Sequence, residues 1–301
     1  MSTQAPQAWF LPLDAKYYNP DEDEKTFFKI ETGISDDDEL KKHIITVQTK
    51  AFSIFPYPCI RRFGFTELKL GRLPAYEQLL KLGRDRENAI FIDLGCCFGN
   101  DVRKAVQDGY PVQNTIAVDL RRGLWDLGHE MFKSTPESFT TPFIEGDILD
   151  QKFLSTVVPF TKDSPPTTAA PSLNTVTTLN ELRGHVSVLY TASFFHLFLE
   201  PEQEKIAHAL AGLLSPEPGS MLLGVHGASN TKGFWKPTGS DYTMFCHCPE
   251  SWKELWEGIF GKGNVEVKAR VRREVGGDSY YDMYPGNTNP FQVMEWSITR
   301  L

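Results

Sequence analysis

The run AIFIDL, Ala89 to Leu94, flows directly into the turn GCCFGND, Gly95 to Asp101. No other stretch constrains the fold as strongly. A short, almost uninterrupted apolar run predicts a strand covered on both faces, as in a parallel sheet. The two glycines, Gly95 and Gly99, let the backbone turn and approach a ligand closely. From here onward strand-like and helix-like segments alternate. Strands are predicted at 115–119, 141–145, 185–191 and 220–226, and helices at 201–214 and 249–260. In the first helix Pro201, Glu202 and Glu204 suit an N-terminal turn, and Ile206, Leu210 and Leu213 form a stripe. In the second, Trp252, Leu255, Trp256 and Ile259 recur at helical spacing and Gly261 follows. Such alternation predicts an α/β protein with helices on both faces of the sheet.

The end of the chain reads differently. VEVKARVRREV, Val265 to Val275, alternates with period two, then a turn-rich loop precedes a last strand, Phe291 to Ile298. Two strands with no helix between them predict an antiparallel hairpin that closes the sheet.

Residues 1–85 form an N-terminal extension, and 86–301 the sheet-bearing domain. The extension is acidic at Asp21-Glu22-Asp23-Glu24 and Asp36-Asp37-Asp38-Glu39. A helix is predicted from Glu39 to Phe52 and a short one from Pro74 to Leu82. Between them lies FSIFPYPCIRRFGF, where Pro56 and Pro58 forbid a continuous helix. Residues 161–183, rich in Thr, Ser and Pro, read as a surface insertion of the second domain.

Composition removes several classes of function. The net charge of −8 argues against a nucleic-acid groove, which needs clustered Lys and Arg. Five cysteines, two of them adjacent, do not make a secreted disulfide framework, so a cytoplasmic location is expected. MSTQAPQAWF lacks the basic start and apolar run of a signal peptide. No apolar run approaches the roughly 18 residues of a membrane span. Cys96-Cys97 and Cys246-His247-Cys248 are too tightly spaced for a usual zinc set, so no metal is expected.

A parallel sheet binds ligands beyond the carboxyl ends of its strands, where strand order reverses. Asp93 and the turn after it end the first strand. Asp119 ends the second, where a carboxylate can accept from two ribose hydroxyls. Glu145-Gly146-Asp147-Ile148 ends the third. A dinucleotide site wants G-x-G-x-x-G, and the chain has G-x-x-x-G. The order D-L-G-C-C-F-G, then Asp119, then Glu145-Gly146-Asp147 resembles the first three motifs of class I S-adenosylmethionine-dependent methyltransferases. Cys97 stands where their middle glycine is usual. The paired cysteines, the A-S-F-F-H-L-F run at Ala192–Phe198 and the aromatic extension give a narrower resemblance, to fungal methyltransferases of meroterpenoid biosynthesis, which esterify a carboxyl group.

The resemblance implies a Rossmann-like, seven-stranded, mostly parallel sheet with a C-terminal antiparallel hairpin and a helical N-terminal extension. It implies S-adenosyl-L-methionine as cofactor. Asp93, Gly95, Cys96, Cys97, Phe98 and Gly99 would surround its methionine end. Asp119 would hold the ribose and Leu120 the adenine, with Gly146, Asp147 and Ile148 at the adenine edge. Thr191, Ala192 and Ser193 would face the sulfonium. The implied substrate is a small hydrophobic acid.

Beyond these motifs, His196 follows the fourth strand and is the candidate catalytic residue, as a base, with a hydrogen-bonded packing role as the structural alternative. Tyr17, Tyr57 and Arg61 of the extension, read as a lid or cover, and His226 after the fifth strand are candidate substrate contacts. Methylation of a phenol, an amine or a protein stays open, as does a non-catalytic partner protein with the same fold. The extension and the loop Tyr280-Tyr281-Met283-Tyr284 offer surfaces for a homodimer, the commonest oligomer.

Overall fold

The computed structural model describes residues 11–238, 241–273, 284 and 286–301. Tyr280, Tyr281 and Met283, offered above as an interface, lie outside the described residues.

Both acidic runs of the extension begin helices. Asp21 caps α1 (Glu22–Thr32): its carboxylate accepts from the Glu24 amide at 2.9 Å, and Glu24 accepts from the Asp21 amide at 2.9 Å. This reciprocal box satisfies two amides that the first turn leaves without partners. Gly33, at φ +69°, ends the helix in the left-handed conformation. Asp36 caps α2 (Asp37–Ile54), two residues before the predicted start. Glu39 and Leu40 are therefore inside the first turn. α3 (Pro58–Arg61) is one turn opened by its proline, and α4 (Tyr76–Asp85) leads into the sheet.

The sheet begins with β1 (Ile90–Leu94), followed by α5 (Asn100–Gln107), β2 (Thr115–Asp119), α6 (Arg122–Met131), β3 (Phe143–Glu145) and β4 (Val186–Ala192). After them come α7 (Glu200–Ala211), β5 (Met221–Ala228), β6 (Gly233–Trp235), β7 (Met244–Cys246), α8 (Pro249–Phe260), β8 (Val265–Arg273) and β9 (Gln292–Arg300). Seven strands form one sheet in the order β3-β2-β1-β4-β5-β9-β8. β1 to β5 pair in parallel, and β9 pairs antiparallel with both β5 and β8. This is the expected mostly parallel sheet closed by an antiparallel hairpin. Strand order reverses between β1 and β4, so a crevice opens beyond their carboxyl ends.

β6 and β7 pair with each other in a separate two-stranded ribbon. The sequence reading left this stretch without elements. The region 161–183 is exposed over most of its length, yet Val176, Leu179 and Leu182 are buried in the main core. It is thus pinned to the domain at its C-terminal end.

Apolar groups fill both faces of the sheet. Ile92, Leu189, Leu222 and Trp252 belong to one side, and Phe91, Val188, Tyr190 and Leu223 to the other. A third cluster joins Phe27, Phe28, Ile44 and Val47 of the extension to Phe98, Leu124, Met131 and Phe132. The extension therefore buries its apolar faces on α6 and on the turn after β1. Among the described residues no helix is long and apolar enough to cross a membrane.

Candidate functional site

The turn after β1 alternates its backbone hand. Gly95, Cys97 and Gly99 have φ of +77°, +53° and +77°. The glycines meet no steric penalty there. For an L-residue such as Cys97 the region costs about 1–2 kcal/mol. The turn is stitched to β2 in return. The Gly95 and Cys96 amides donate to the Val118 carbonyl at 2.8 and 3.1 Å, and the Cys97 amide donates to Asp119 Oδ2 at 2.9 Å. Space is also limited: a Cβ on Gly99 would lie 2.6 Å from the Trp125 ring.

Asp119 binds the turn on one oxygen and the Arg121 amide on the other, at 2.9 Å. Burial pushes its carboxyl upward, and these amides pull it back down. Arg121 lies over the Phe55 ring at 3.8 Å and donates to the Tyr57 hydroxyl at 3.4 Å. Beyond β3, the Gly146 amide donates to the Asp119 carbonyl at 3.1 Å. A Cβ on Gly146 would lie 2.2 Å from the Phe153 ring. Asp147 accepts from the Leu149 amide at 2.9 Å, and Ile148 is buried beside it. After β4, Ser193 is left-handed at φ +51°, and its amide donates to the Val225 carbonyl at 2.7 Å.

These residues line one cleft of about 1490 Å³, its open mouth included. Gly95, Cys96, Cys97, Phe98, Asp119, Leu120, Gly146, Asp147, Ile148, Ala192 and Ser193 all line it, with Tyr57 and His196. Gly99, Asp93 and Thr191 stand behind the wall. Asp93 is buried within β1, where desolvation first, and then the charge of Asp101, push its carboxyl well up.

Three proposed substrate contacts fall elsewhere. His226 is buried behind the cleft and accepts from Trp296 Nε1 at 2.9 Å, against the rings of Phe195 and Trp252. It belongs to the core. Arg61 donates to the Pro12 carbonyl at 3.0 Å and lies over the Tyr17 ring at 4.9 Å, so these two hold the extension together. The arginine that lines the cleft is its neighbour, Arg62.

His196 does face the cleft. Its Nδ1 accepts from the Gly227 amide at 2.9 Å. Burial, with the nearby charge of Arg62, lowers its pKa to about 4. A neutral imidazole that accepts at Nδ1 must carry its proton on Nε2. The side chain lines the cleft. The neutral ring therefore carries its proton at Nε2, as an N–H donor, and keeps no free ring lone pair with which to act as a base.

Sequence reasoning missed two groups of lining residues. One is the first turn of α5. Asn100 donates to the Phe65 carbonyl, and Asp101 accepts from the Leu70 amide at 2.9 Å and the Tyr190 hydroxyl at 2.8 Å. This turn grips the extension and brings Phe65 and Lys69 to the cleft. The other is the apolar wall of Trp235, Tyr242, Met244, Tyr284 and Phe291, contributed by the β6–β7 ribbon and the approach to β9. Burial raises Tyr242 to about 12 and Tyr284 further still, so both stay neutral phenols.

A family model described as the meroterpenoid methyltransferase N-terminal domain matches residues 14–66. The chain is 27% identical over 295 residues to the O-methyltransferase phiE of a fungal species (strain ATCC 74256), a match covering 96% of this chain and 90% of that protein. It is 31% identical over 221 residues to the asnovolin E/chermesin D methyltransferase nvfJ of Aspergillus novofumigatus, covering 73% of this chain and 70% of that one. It is 32% identical over 242 residues to the O-methyltransferase atr3 of Stereocaulon alpinum, covering 79% of this chain and 62% of that one.

Proposed function

Because this chain belongs to the methyltransferase family that includes the asnovolin E/chermesin D enzyme, we propose that it is an O-methyltransferase of secondary metabolism that forms a carboxyl methyl ester on a small hydrophobic acid. The methyl donor is S-adenosylmethionine, which when bound supplies a methyl group on a positively charged sulfur.

The residues present fit that cofactor. The left-handed turn at Gly95–Gly99 keeps side chains out of the backbone's way, and Asp119 presents a carboxylate at the end of β2. We assign Gly95, Cys97 and Phe98 to its methionine end, Asp119 to its ribose hydroxyls, and Leu120, Asp147 and Ile148 to its adenine. Ala192 and Ser193 then border the reacting atoms. Acid substrates fit the apolar wall of Trp235, Met244 and Phe291, which excludes water from the transfer.

One observation carries the choice of a carboxyl group: the Gly227 amide occupies His196 Nδ1 and so makes Nε2 a donor. A phenol, with a pKa of about 10, needs a base, whereas a carboxylic acid, with a pKa of about 4, arrives ionised. An N–H donor orients a carboxylate oxygen and takes no proton from it. Alignment and desolvation then supply the rate.

The test uses radiolabelled cofactor and paired lipophilic substrates that bear either a carboxyl or a phenol. Label in a product that mild alkali hydrolyses supports ester formation. Label only in alkali-stable ethers overturns it. His196→Gln keeps a side-chain donor and is expected to retain more activity than His196→Ala, by about tenfold.

A further inference from the structure

We propose that Gly227 of β5 determines substrate specificity: by carrying no side chain, it sets how large an apolar body the cleft accepts beside His196. This rests on the reading of a hydrophobic acid substrate above and adds the position that limits its size. Gly227 itself stands behind the wall, and the residues it makes room for line the cleft.

β5 holds two glycines, Gly224 and Gly227, within a strand buried along its whole length. A glycine inside a strand marks the close approach of something else. At Gly224 that something is backbone: a Cβ there would lie 2.2 Å from the Thr191 carbonyl oxygen of β4. At Gly227 the nearest atoms are side-chain ends instead, Met244 Cε and Phe291 Cζ at 2.9 Å and Met244 Sδ at 3.1 Å. The φ of Gly227 is not left-handed, so the backbone there makes no demand for glycine. The missing Cβ is space kept for Met244 and Phe291, and both line the cleft. Phe291 meets the Trp235 ring edge-on at 5.4 Å, and Trp235 Nε1 donates to the Pro290 carbonyl at 3.2 Å. Ring and ribbon thus hold each other in place. Met244, unbranched and paired with Trp235 across the ribbon, is the group that gives way most easily. A methyl on Gly227 would push these ends away from β5, toward the cleft they line. Protein interiors are close-packed, so the displaced volume reappears in the cleft. The Gly227 amide also donates to His196 Nδ1 at 2.9 Å. Bulk excluded here is therefore excluded next to the imidazole.

The test measures binding to the full chain saturated with S-adenosylhomocysteine, by calorimetry. The probes are benzoate, 1-naphthoate and abietate, acids of increasing bulk. Gly227→Ala keeps the amide that bonds His196. It is expected to weaken the largest acid that wild type holds by at least about tenfold, the discrimination one misfitting methyl brings in an apolar pocket. Benzoate and S-adenosylhomocysteine affinities should stay within about twofold. Adding Met244→Ala removes the crowded Cε and Sδ and should recover at least about threefold of the loss. Unchanged S-adenosylhomocysteine binding shows that each variant is folded. If Gly227→Ala loses it, Met244→Phe decides instead, because it narrows the same space from β7. A selective loss of the larger acid in that variant supports the assignment, and its absence overturns it. In Gly227→Ala, no loss, an equal loss for benzoate and the larger acid, or no recovery with Met244→Ala overturns the assignment and leaves the acid reading standing. So does a wild type that holds benzoate and neither larger acid. If wild type holds none of the acids, both readings fall.

Discussion

The Cys97 amide donates to Asp119 Oδ2 over 2.9 Å, joining the turn after β1 to the end of β2. One carboxylate thus shapes the turn and faces the cleft. Asp119→Ala removes the acceptor for two amides, those of Cys97 and Arg121. Each unsatisfied amide costs about 1–3 kcal/mol where it is buried. We expect Asp119→Ala to weaken S-adenosylmethionine binding by at least about tenfold in calorimetry and to lower the melting temperature. Asp119→Asn keeps a carbonyl acceptor and should fall between. Wild-type affinity in Asp119→Ala would remove Asp119 from the cofactor site.

Much of this turn was legible, because a strand buried on both faces, two glycines and an acid at the next strand's end leave few alternatives. What failed to read has physical causes. Arg61 ends a four-residue helix and Arg62 is its C-cap, a segment too short for periodicity to say which points inward. His226 lies on β5, where all eight residues are buried, so alternation gives no phase to separate core from cleft. β6 and β7 have three residues each, below the length at which a strand pattern shows. The two acid runs were legible as helix starts through their Asp-x-x-Glu spacing, a signal the composition-level reading passed over.

Cys97 in place of glycine raises a question of strain. Its left-handed φ costs about 1–2 kcal/mol, and glycine's extra chain entropy costs about 0.5–1 kcal/mol. Cys97→Gly should therefore be neutral or stabilising by up to about 1.5 kcal/mol, less whatever the thiol's packing contributes. Cys97→Val, β-branched, should destabilise by more than about 2 kcal/mol, because such residues avoid this region. Urea unfolding of both variants decides it. A strongly destabilised Cys97→Gly would mean that the thiol is needed for packing against the third cluster.

The acid limb of stability should carry the signature of buried histidines. His247 is 5% exposed, and its Nδ1 lies 2.9 Å from Ser251 Oγ, between the rings of Phe245 and Trp252. Burial lowers its pKa from 6.5 to about 4. Between those values the unfolded chain takes up a proton that the folded chain refuses. The histidine's contribution is therefore fully present above pH 6.5 and is lost as pH falls toward 4. His196, also near 4, and His226, lowered further, act in the same direction. The raised carboxyls of Asp93, Asp101 and Asp119 oppose them, since those bind protons more readily in the folded state. A difference measurement removes that background. At pH 8, His247→Gln should be less stable than wild type, through lost ring packing. From pH 6.5 to 5 the gap should close by up to about 1.4 kcal/mol per pH unit, because glutamine does not titrate. Urea unfolding at pH 8, 6.5 and 5 measures it. A gap independent of pH would mean that His247 is protonated as easily in the folded chain as in the unfolded one, and that its burial among aromatic rings does not resist the charge.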